Sequence, residues 1–237
     1  MFMGLLLAIP VLLPGIMAAT NREVETCEDG EAFLIKEREI MEASNTPIVK
    51  GDLIIVDTRK LRLTLYRNGR VFRTYPVAIG ELETPTPIGE WKIIHKGGNW
   101  GDGFGARWMG INVPWGIYGV HGTNKPWTIG SRASHGCIRM FNRNVLELYE
   151  LVKVGTPVHI QGDIPKVSAR REISRKNTGR DVIAIQYRMR HQNFDPGIAD
   201  GRFGETMERA VYKLQLFYGL PMIGKITLNE QYLLEIR

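Results

Sequence analysis

A mainly β domain, sandwich or barrel-like and carrying a single helix, followed by a small helical domain, is the fold class this sequence predicts. Three observations carry it. Between Asp52 and Ile160, short apolar runs of strand period alternate with glycine-rich loops. Within that span one stretch, after Asn142, has the period of a helix. Beyond Arg180 the apolar period becomes helical. A chain of 237 residues has enough length for one large domain or two modest ones.

Met1 to Ala19 is strongly apolar and ends in Met17-Ala18-Ala19-Thr20, small residues of the kind that border a cleavage point. Gly4 to Ala19 would make a helix of roughly 24 Å, short of the ~30 Å hydrocarbon core, and Pro10 and Pro14 interrupt it. Residues 1–20 are therefore expected to be an export signal. A retained short anchor is the alternative, because no charged residue precedes Arg22. Residues 21–50 read as a charged connector with room for a short helix around Ala32 to Glu42.

From Asp52 the strands begin. Leu53-Ile54-Ile55-Val56 is a short apolar run, and Leu61, Leu63 and Leu65 alternate with Arg62 and Thr64. Asn68-Gly69 predicts a type I′ hairpin leading into a strand from Val71 to Ile79. Further strands are expected at Trp91 to His95, Arg107 to Val113, Ile117 to Val120 and Pro157 to Ile160. The helix is expected to start with Asn142 or Asn144 as N-cap, to bury Val145, Leu146, Leu148, Tyr149 and Val152, and to end before Gly155. Lys96 to Gly105, rich in glycine around Trp100, lacks the following helix that a phosphate-binding loop needs. It reads as a wall of a cleft or as a plain hairpin connection.

Residues 163–180 read as a basic linker. After it, Val182, Ile185 and Met189 mark one apolar helix face, and Met207, Ala210, Val211, Leu214 and Phe217 mark another. The turn-rich stretch between them lacks the alternating acidic ligands of a calcium loop.

Lys plus Arg is 31 against 25 Asp plus Glu, a net charge of +6. A basic surface suits nucleic acid, an anionic membrane or an anionic polymer. No nucleic-acid motif accompanies it, so a carboxylate-rich polymer is the more economical partner.

The chemistry is concentrated in Ser134-His135-Gly136-Cys137-Ile138-Arg139-Met140, with His121-Gly122-Thr123 beginning 16 positions before the cysteine. A free thiol is only a few per cent thiolate at neutral pH, so a cysteine nucleophile needs a base. An imidazole can accept its proton during attack or hold the pair as thiolate and imidazolium. Gly136 lets the backbone turn tightly, so that amides near Cys137 can face a developing oxyanion. On residue types alone, a buried, inert cysteine remains an open alternative.

These two motifs, together with Thr84-Pro85-Thr86-Pro87-Ile88-Gly89 and Trp91, resemble the signature of the L,D-transpeptidases, cysteine enzymes that cross-link bacterial peptidoglycan. The resemblance covers about Gly51 to Gly162. It implies a catalytic domain at 51–162 with Cys137 as nucleophile and His121 as general base. Thr123, Ser134, His135, Gly136 and Arg139 fall in the same signature as substrate-binding or supporting residues. The implied reaction takes a tetrapeptide stem through a thioester to a 3→3 cross-link, with no cofactor and no metal. With water as acceptor the same site is a carboxypeptidase. Many relatives carry asparagine where Arg139 stands, a departure that bears on substrate preference.

Asp200-Gly201-Arg202-Phe203-Gly204-Glu205-Thr206, with Ala210-Val211, Gln215, Gly219 and Leu220, is similar to the small three-helix peptidoglycan-binding domain. The C-terminal domain is placed at 181–237. The two resemblances imply peptidoglycan stems and glycan as partners, no nucleic acid, and an exported, wall-associated protein.

Two competing readings follow from the same residues. One is a zinc peptidase with His121, His135 and Cys137 as ligands. The other is a wall-binding protein without catalysis. A disulfide between Cys27 and Cys137 would oppose the nucleophile reading.

Overall fold

The computed structural model describes residues 51–98, 101–167 and 171–236. The expected export signal, the connector with its short helix, and Cys27 lie outside the described residues.

Ten strands form β1 (Asp52–Asp57), β2 (Arg62–Arg67), β3 (Arg70–Pro76), β4 (Ile79–Gly80), β5 (Gly89–Gly97), β6 (Trp108–Ile111), β7 (Tyr118–His121), β8 (Arg132–Ser134), β9 (Ile138–Arg139) and β10 (Pro157–Gln161). Eight of them make one curled sheet in the order β3-β2-β1-β10-β5-β6-β7-β9, while β4 and β8 pair separately. The barrel-like alternative is therefore the one realised, as a half-barrel. Its register follows from the alternation of apolar residues. Val56 faces Leu63 and Ile54 faces Leu65 across the β1–β2 ladder, and all four are fully buried. Slipping by one residue would turn this set to solvent.

Asn68 and Gly69 both have positive φ, 50° and 76°, as the type I′ turn requires. The expected strand from Val71 to Ile79 is broken. β3 ends at Pro76, after which Val77 donates to the Leu61 carbonyl and Ala78 exchanges hydrogen bonds with Arg139. The chain leaves β2 there because β9 offers it new backbone partners.

Helix α1 (Asn142–Leu151) is the one α-helix among the described residues between β1 and β10. Phe141, not an asparagine, occupies the N-cap, and no side chain caps it. Val145 and Leu148 are fully buried, whereas Leu146 is exposed, lying off the stripe that faces the sheet. Lys96 of β5 holds the other end, its ammonium donating to the carbonyls of Tyr149 at 2.5 Å and Val152 at 2.6 Å.

Helices α2 (Arg180–His191), α3 (Glu205–Phe217) and α4 (Leu228–Leu233) follow. Val182, Ile185 and Met189 pack with Met207, Ala210, Val211 and Leu214 in a second core. Phe217 is exposed and extends that stripe beyond the core. Within the basic stretch 163–180, Ile173 is fully buried in this core and pairs with Ile226. Helix α2 also buries Ile183 in the core of the sheet, with Tyr187 packed against it. It is therefore covered on two sides, by helices and by the sheet. Among the described residues no helix is long and apolar enough to cross a membrane.

Candidate active site

The β7–β9 pair places the signature residues. The strands are parallel, with Val120 opposite Ile138 and His121 opposite Arg139. Val120 and Ile138 are fully buried in the core. Side chains alternate along a strand, so His121 and Arg139 fall on the opposite face, and Cys137 lies in the turn just before β9. Two segments far apart in sequence thus bring a thiol, an imidazole and a guanidinium to one end of the sheet.

Cys137 carries no disulfide and is half-buried. Its sulfur lies 4.0 Å from the Ile117 carbonyl oxygen. Burial pushes its thiol up from the ordinary value; the Gly119 backbone amide and the Arg139 charge oppose that shift. His121 is buried between rings, 5.2 Å from Phe104 and 5.5 Å from Trp108 between centroids. Its Nδ1 faces the Gly122 carbonyl oxygen at 2.5 Å, which assigns the proton to Nδ1 and leaves Nε2 as the basic atom. Burial pushes its pKa down to about 4, with Arg139 adding to the shift and the carbonyls of Gly122 and Phe104 opposing it. Burial thus favours the neutral form of both groups, raising the thiol and lowering the imidazole.

The ultraviolet absorbance of the thiolate tests this assignment. The expected difference between the wild type and Cys137→Ser at pH 7 is nil, with thiolate absorbance emerging only in the alkaline range. Absorbance present near pH 6 would establish an ion pair.

Burial of a neutral His121 also couples stability to pH. An imidazole at about 4 in the fold and 6.5 unfolded binds fewer protons when folded between those values. Its contribution is complete above about pH 6.5 and is lost as pH falls to about 4, amounting to roughly 3 kcal/mol. Urea midpoints measured across this window should fall with pH, and less so in His121→Gln.

The supporting residues build the turn. Ser134 Oγ donates to the Cys137 carbonyl at 2.6 Å and accepts from the Gly136 amide at 3.2 Å. The Gly136 N–H is thereby occupied and is withdrawn from the set of amides that can face an oxyanion. Gly136 itself has φ of 116°. Thr123 is buried, with its hydroxyl accepting from the Lys125 amide at 3.0 Å, so it shapes the chain after β7. Arg139 is half-buried; Nη1 donates to the Ala133 carbonyl at 2.8 Å, and Nε is buried with no hydrogen-bond partner among the described residues. His135 is exposed on the turn.

Asn142 belongs with these residues, although its sequence position suggested only a helix cap. Its Oδ1 accepts from the amides of Ala106 at 3.0 Å and Thr123 at 3.1 Å, joining the loop that carries Phe104 to the end of β7. The signal for it was its place three residues past Arg139, at the start of α1. The glycine-rich segment is the β5–β6 connection, and it also sets Phe104 against His121.

Among the described residues no group of three His, Cys, Asp or Glu side chains is arranged to hold a metal ion. The ligand set of the zinc alternative is thus not assembled.

Residues 51–160 match the family model of the L,D-transpeptidase catalytic domain, and residues 178–229 match that of a peptidoglycan binding domain. "Putative L,D-transpeptidase YkuD" of Bacillus subtilis is 49% identical over 98 residues, covering 41% of this chain and 58% of that protein. "Putative L,D-transpeptidase YqjB" of the same organism is 34% identical over 132 residues, covering 49% of this chain and 75% of that protein. The NMR structure of the catalytic domain from an E. faecium L,D-transpeptidase aligns with a TM-score of 0.42 at 26% identity, over 48% of this chain and 100% of that one. The chain spans 58% and 64% of the lengths of the two YkuD relatives it matches from Bacillus subtilis and Bacillus licheniformis. With β9 bringing the Cys137 turn up to His121 on β7, with both family models matched, and with 75% of YqjB covered at 34% identity, the chain belongs to the L,D-transpeptidase family and carries a peptidoglycan-binding domain after its catalytic domain.

Proposed function

We propose that this protein is a cysteine acyltransferase that forms 3→3 cross-links between tetrapeptide stems of peptidoglycan. The observation that carries the reading is that β7 and β9 set His121 beside Arg139, with Cys137 in the turn just before β9 and the Arg139 charge acting on both the imidazole and the thiol. In the first half-reaction His121 Nε2 takes the thiol proton as the Cys137 sulfur attacks the carbonyl of the L-centre of the diamino acid. The amide bond to the terminal D-alanine breaks, and the departing amine takes that proton from the imidazolium. A thioester remains. In the second, an amine of a neighbouring stem attacks the thioester, His121 accepts its proton, and the thiolate leaves and is reprotonated. Water in place of the amine releases a trimmed stem.

A neutral resting pair suits this sequence, because the imidazole must be unprotonated to accept the thiol proton. Arg139 favours that state by disfavouring a second positive charge beside it. Its fixed charge suits a carboxylate on the stem. The expected place of action is the wall outside the cytoplasmic membrane, supported by the substrate class, the basic surface and the apolar leader.

Intact-protein mass spectrometry after incubation with a tetrapeptide stem tests the reading. The expected product is an adduct of the stem less D-alanine on Cys137. A carbapenem should add to the same residue, because a strained lactam amide traps an acyl-enzyme former. Wild-type protein that forms neither adduct would leave the wall-binding reading in its place.

A further inference from the structure

We propose that the C-terminal helical domain helps position Cys137, acting through Trp115 and Arg202, in addition to binding the wall. This rests on the acyltransfer reading for its consequence and on geometry for its substance.

The Cys137 turn is held between two segments. On one side is Tyr118: a Cβ at Gly136 would lie 2.6 Å from its ring. Beside Tyr118, the Ile117 carbonyl is the group 4.0 Å from the Cys137 sulfur. On the other side is the 84–88 loop, whose Pro85 carbonyl would lie 3.5 Å from the same Cβ. Thr84 donates to the Ser134 carbonyl at 3.3 Å, and Thr86 Oγ1 accepts from the Gly80 amide at 2.8 Å. Moving either segment moves the nucleophile's turn.

Both segments are backed by the helical domain. Arg202 donates through Nη2 to the Asn112 carbonyl at 2.9 Å, at the root of the connection from β6 to Ile117. Trp115, midway along that connection, lies so close to Gly201 that a Cβ there would be 2.4 Å from the indole. Gly201 cannot yield, because its amide donates to the buried Gln186 side chain at 2.8 Å and its carbonyl accepts from Gly179 at 3.0 Å. Trp115 also meets Trp91 edge-on at 5.6 Å, and the Trp91 indole donates to the Pro87 carbonyl at 3.0 Å, reaching the second segment. Pro85, Pro87 and Trp115 line one cavity of about 70 Å³ with Arg180 and Ile183 of α2.

The two domains are also bound directly. Arg190 of α2 makes two hydrogen bonds to the Glu90 carboxylate, at 2.5 and 3.1 Å, and Glu90 pairs through its backbone with Ala199 at 2.8 Å. Ile183 lies in the sheet core. This is the packing of a fixed buttress, so Trp115 and Arg202 are positioning residues that touch the turn only through the 112–118 connection and the 84–88 loop.

The test uses the full chain with Arg202→Gln, Arg202→Lys and Trp115→Leu, and with Arg209→Gln as a control on the exposed Arg209–Glu205 pair. Alkylation of Cys137 by iodoacetamide and acylation by a carbapenem are both followed. For Arg202→Gln and Trp115→Leu, the first-order acylation constant and the alkylation rate should each fall by about tenfold, a loss expected from sub-ångström to ångström misplacement of a reacting atom. The half-saturating carbapenem concentration should stay within about twofold, since the surface that meets the ligand is intact. Arg202→Lys should recover part of the loss, and the control should match the wild type. Folded Arg202→Gln with wild-type rates in both reactions would overturn the proposal. That variant decides the matter even if Trp115→Leu fails to fold, because at a half-exposed arginine it removes only the bond to the Asn112 carbonyl and the pair with Asp200, two residues away on its own loop. Should the wild type alkylate yet never be acylated, the acyltransfer reading fails, while the alkylation rates still decide the buttress.

Discussion

Cys137→Ala is expected to fold and to form no acyl-enzyme, with turnover reduced by at least about 10³-fold. The fold should survive because the sulfur makes only weak backbone contacts among the described residues, to the Ile117 carbonyl at 4.0 Å and to the Gly119 amide, and the residue is half-buried. The turn around it is held by Ser134, Thr84 and the β7–β9 ladder, none of which uses the thiol. His121→Gln should lose about 10²- to 10⁴-fold, the range ascribed to a positioned acid–base group. It should also gain stability below pH 6.5 relative to the wild type, since it removes a buried imidazole that resists protonation. The double variant should lose little more than the more severe single one, because thiol and base act as a unit. Acylation followed by mass, and urea midpoints at pH 5 and pH 7.5, measure both effects. Turnover retained in Cys137→Ala would end the nucleophile assignment.

Gly136→Ala should be nearly as damaging to activity by a different route. Its φ of 116° is a conformation that side-chain-bearing residues rarely adopt, and an added Cβ would lie 2.6 Å and 3.2 Å from two carbons of the Tyr118 ring. The chain can relieve this only by moving the turn or the ring, and either displaces the neighbouring sulfur. A loss of about 2–4 kcal/mol in stability and about 10²-fold or more in acylation is expected. Gly130→Ala separates the two causes. Gly130 also has positive φ, 91°, yet a Cβ there meets no atom within 4 Å. It should therefore show a backbone cost of about 1–2 kcal/mol without the loss of acylation. Equal acylation losses in the two variants would show that backbone strain alone, and not the Tyr118 contact, governs the turn.

Much of this could be read from residue order. The strand period at Leu61, Leu63 and Leu65, the Asn68-Gly69 turn and the helical period after Arg180 are local signals, each carried by neighbours along the chain. The misreadings were also local in cause. Leu146 looked like a core residue because it sits among apolar neighbours, yet its angle around α1 turns it to solvent. Asn142 looked like a cap because asparagine often caps helices, but its amide oxygen instead joins two loops.

Strand and helix periods and the hairpin turn depend on sequence neighbours alone and could be read directly, whereas the residue types of the two motifs left an inert cysteine open, and only their resemblance to the L,D-transpeptidase signature singled out a thiol, an imidazole and a class of chemistry. That β9 brings the Cys137 turn up to His121, that the imidazole is buried, and that α2 is covered on two sides depended on the pairing of β7 with β9 and the packing of one domain on the other. Those are contacts between distant segments, chosen by the whole core at once, and no short window of residues encodes them.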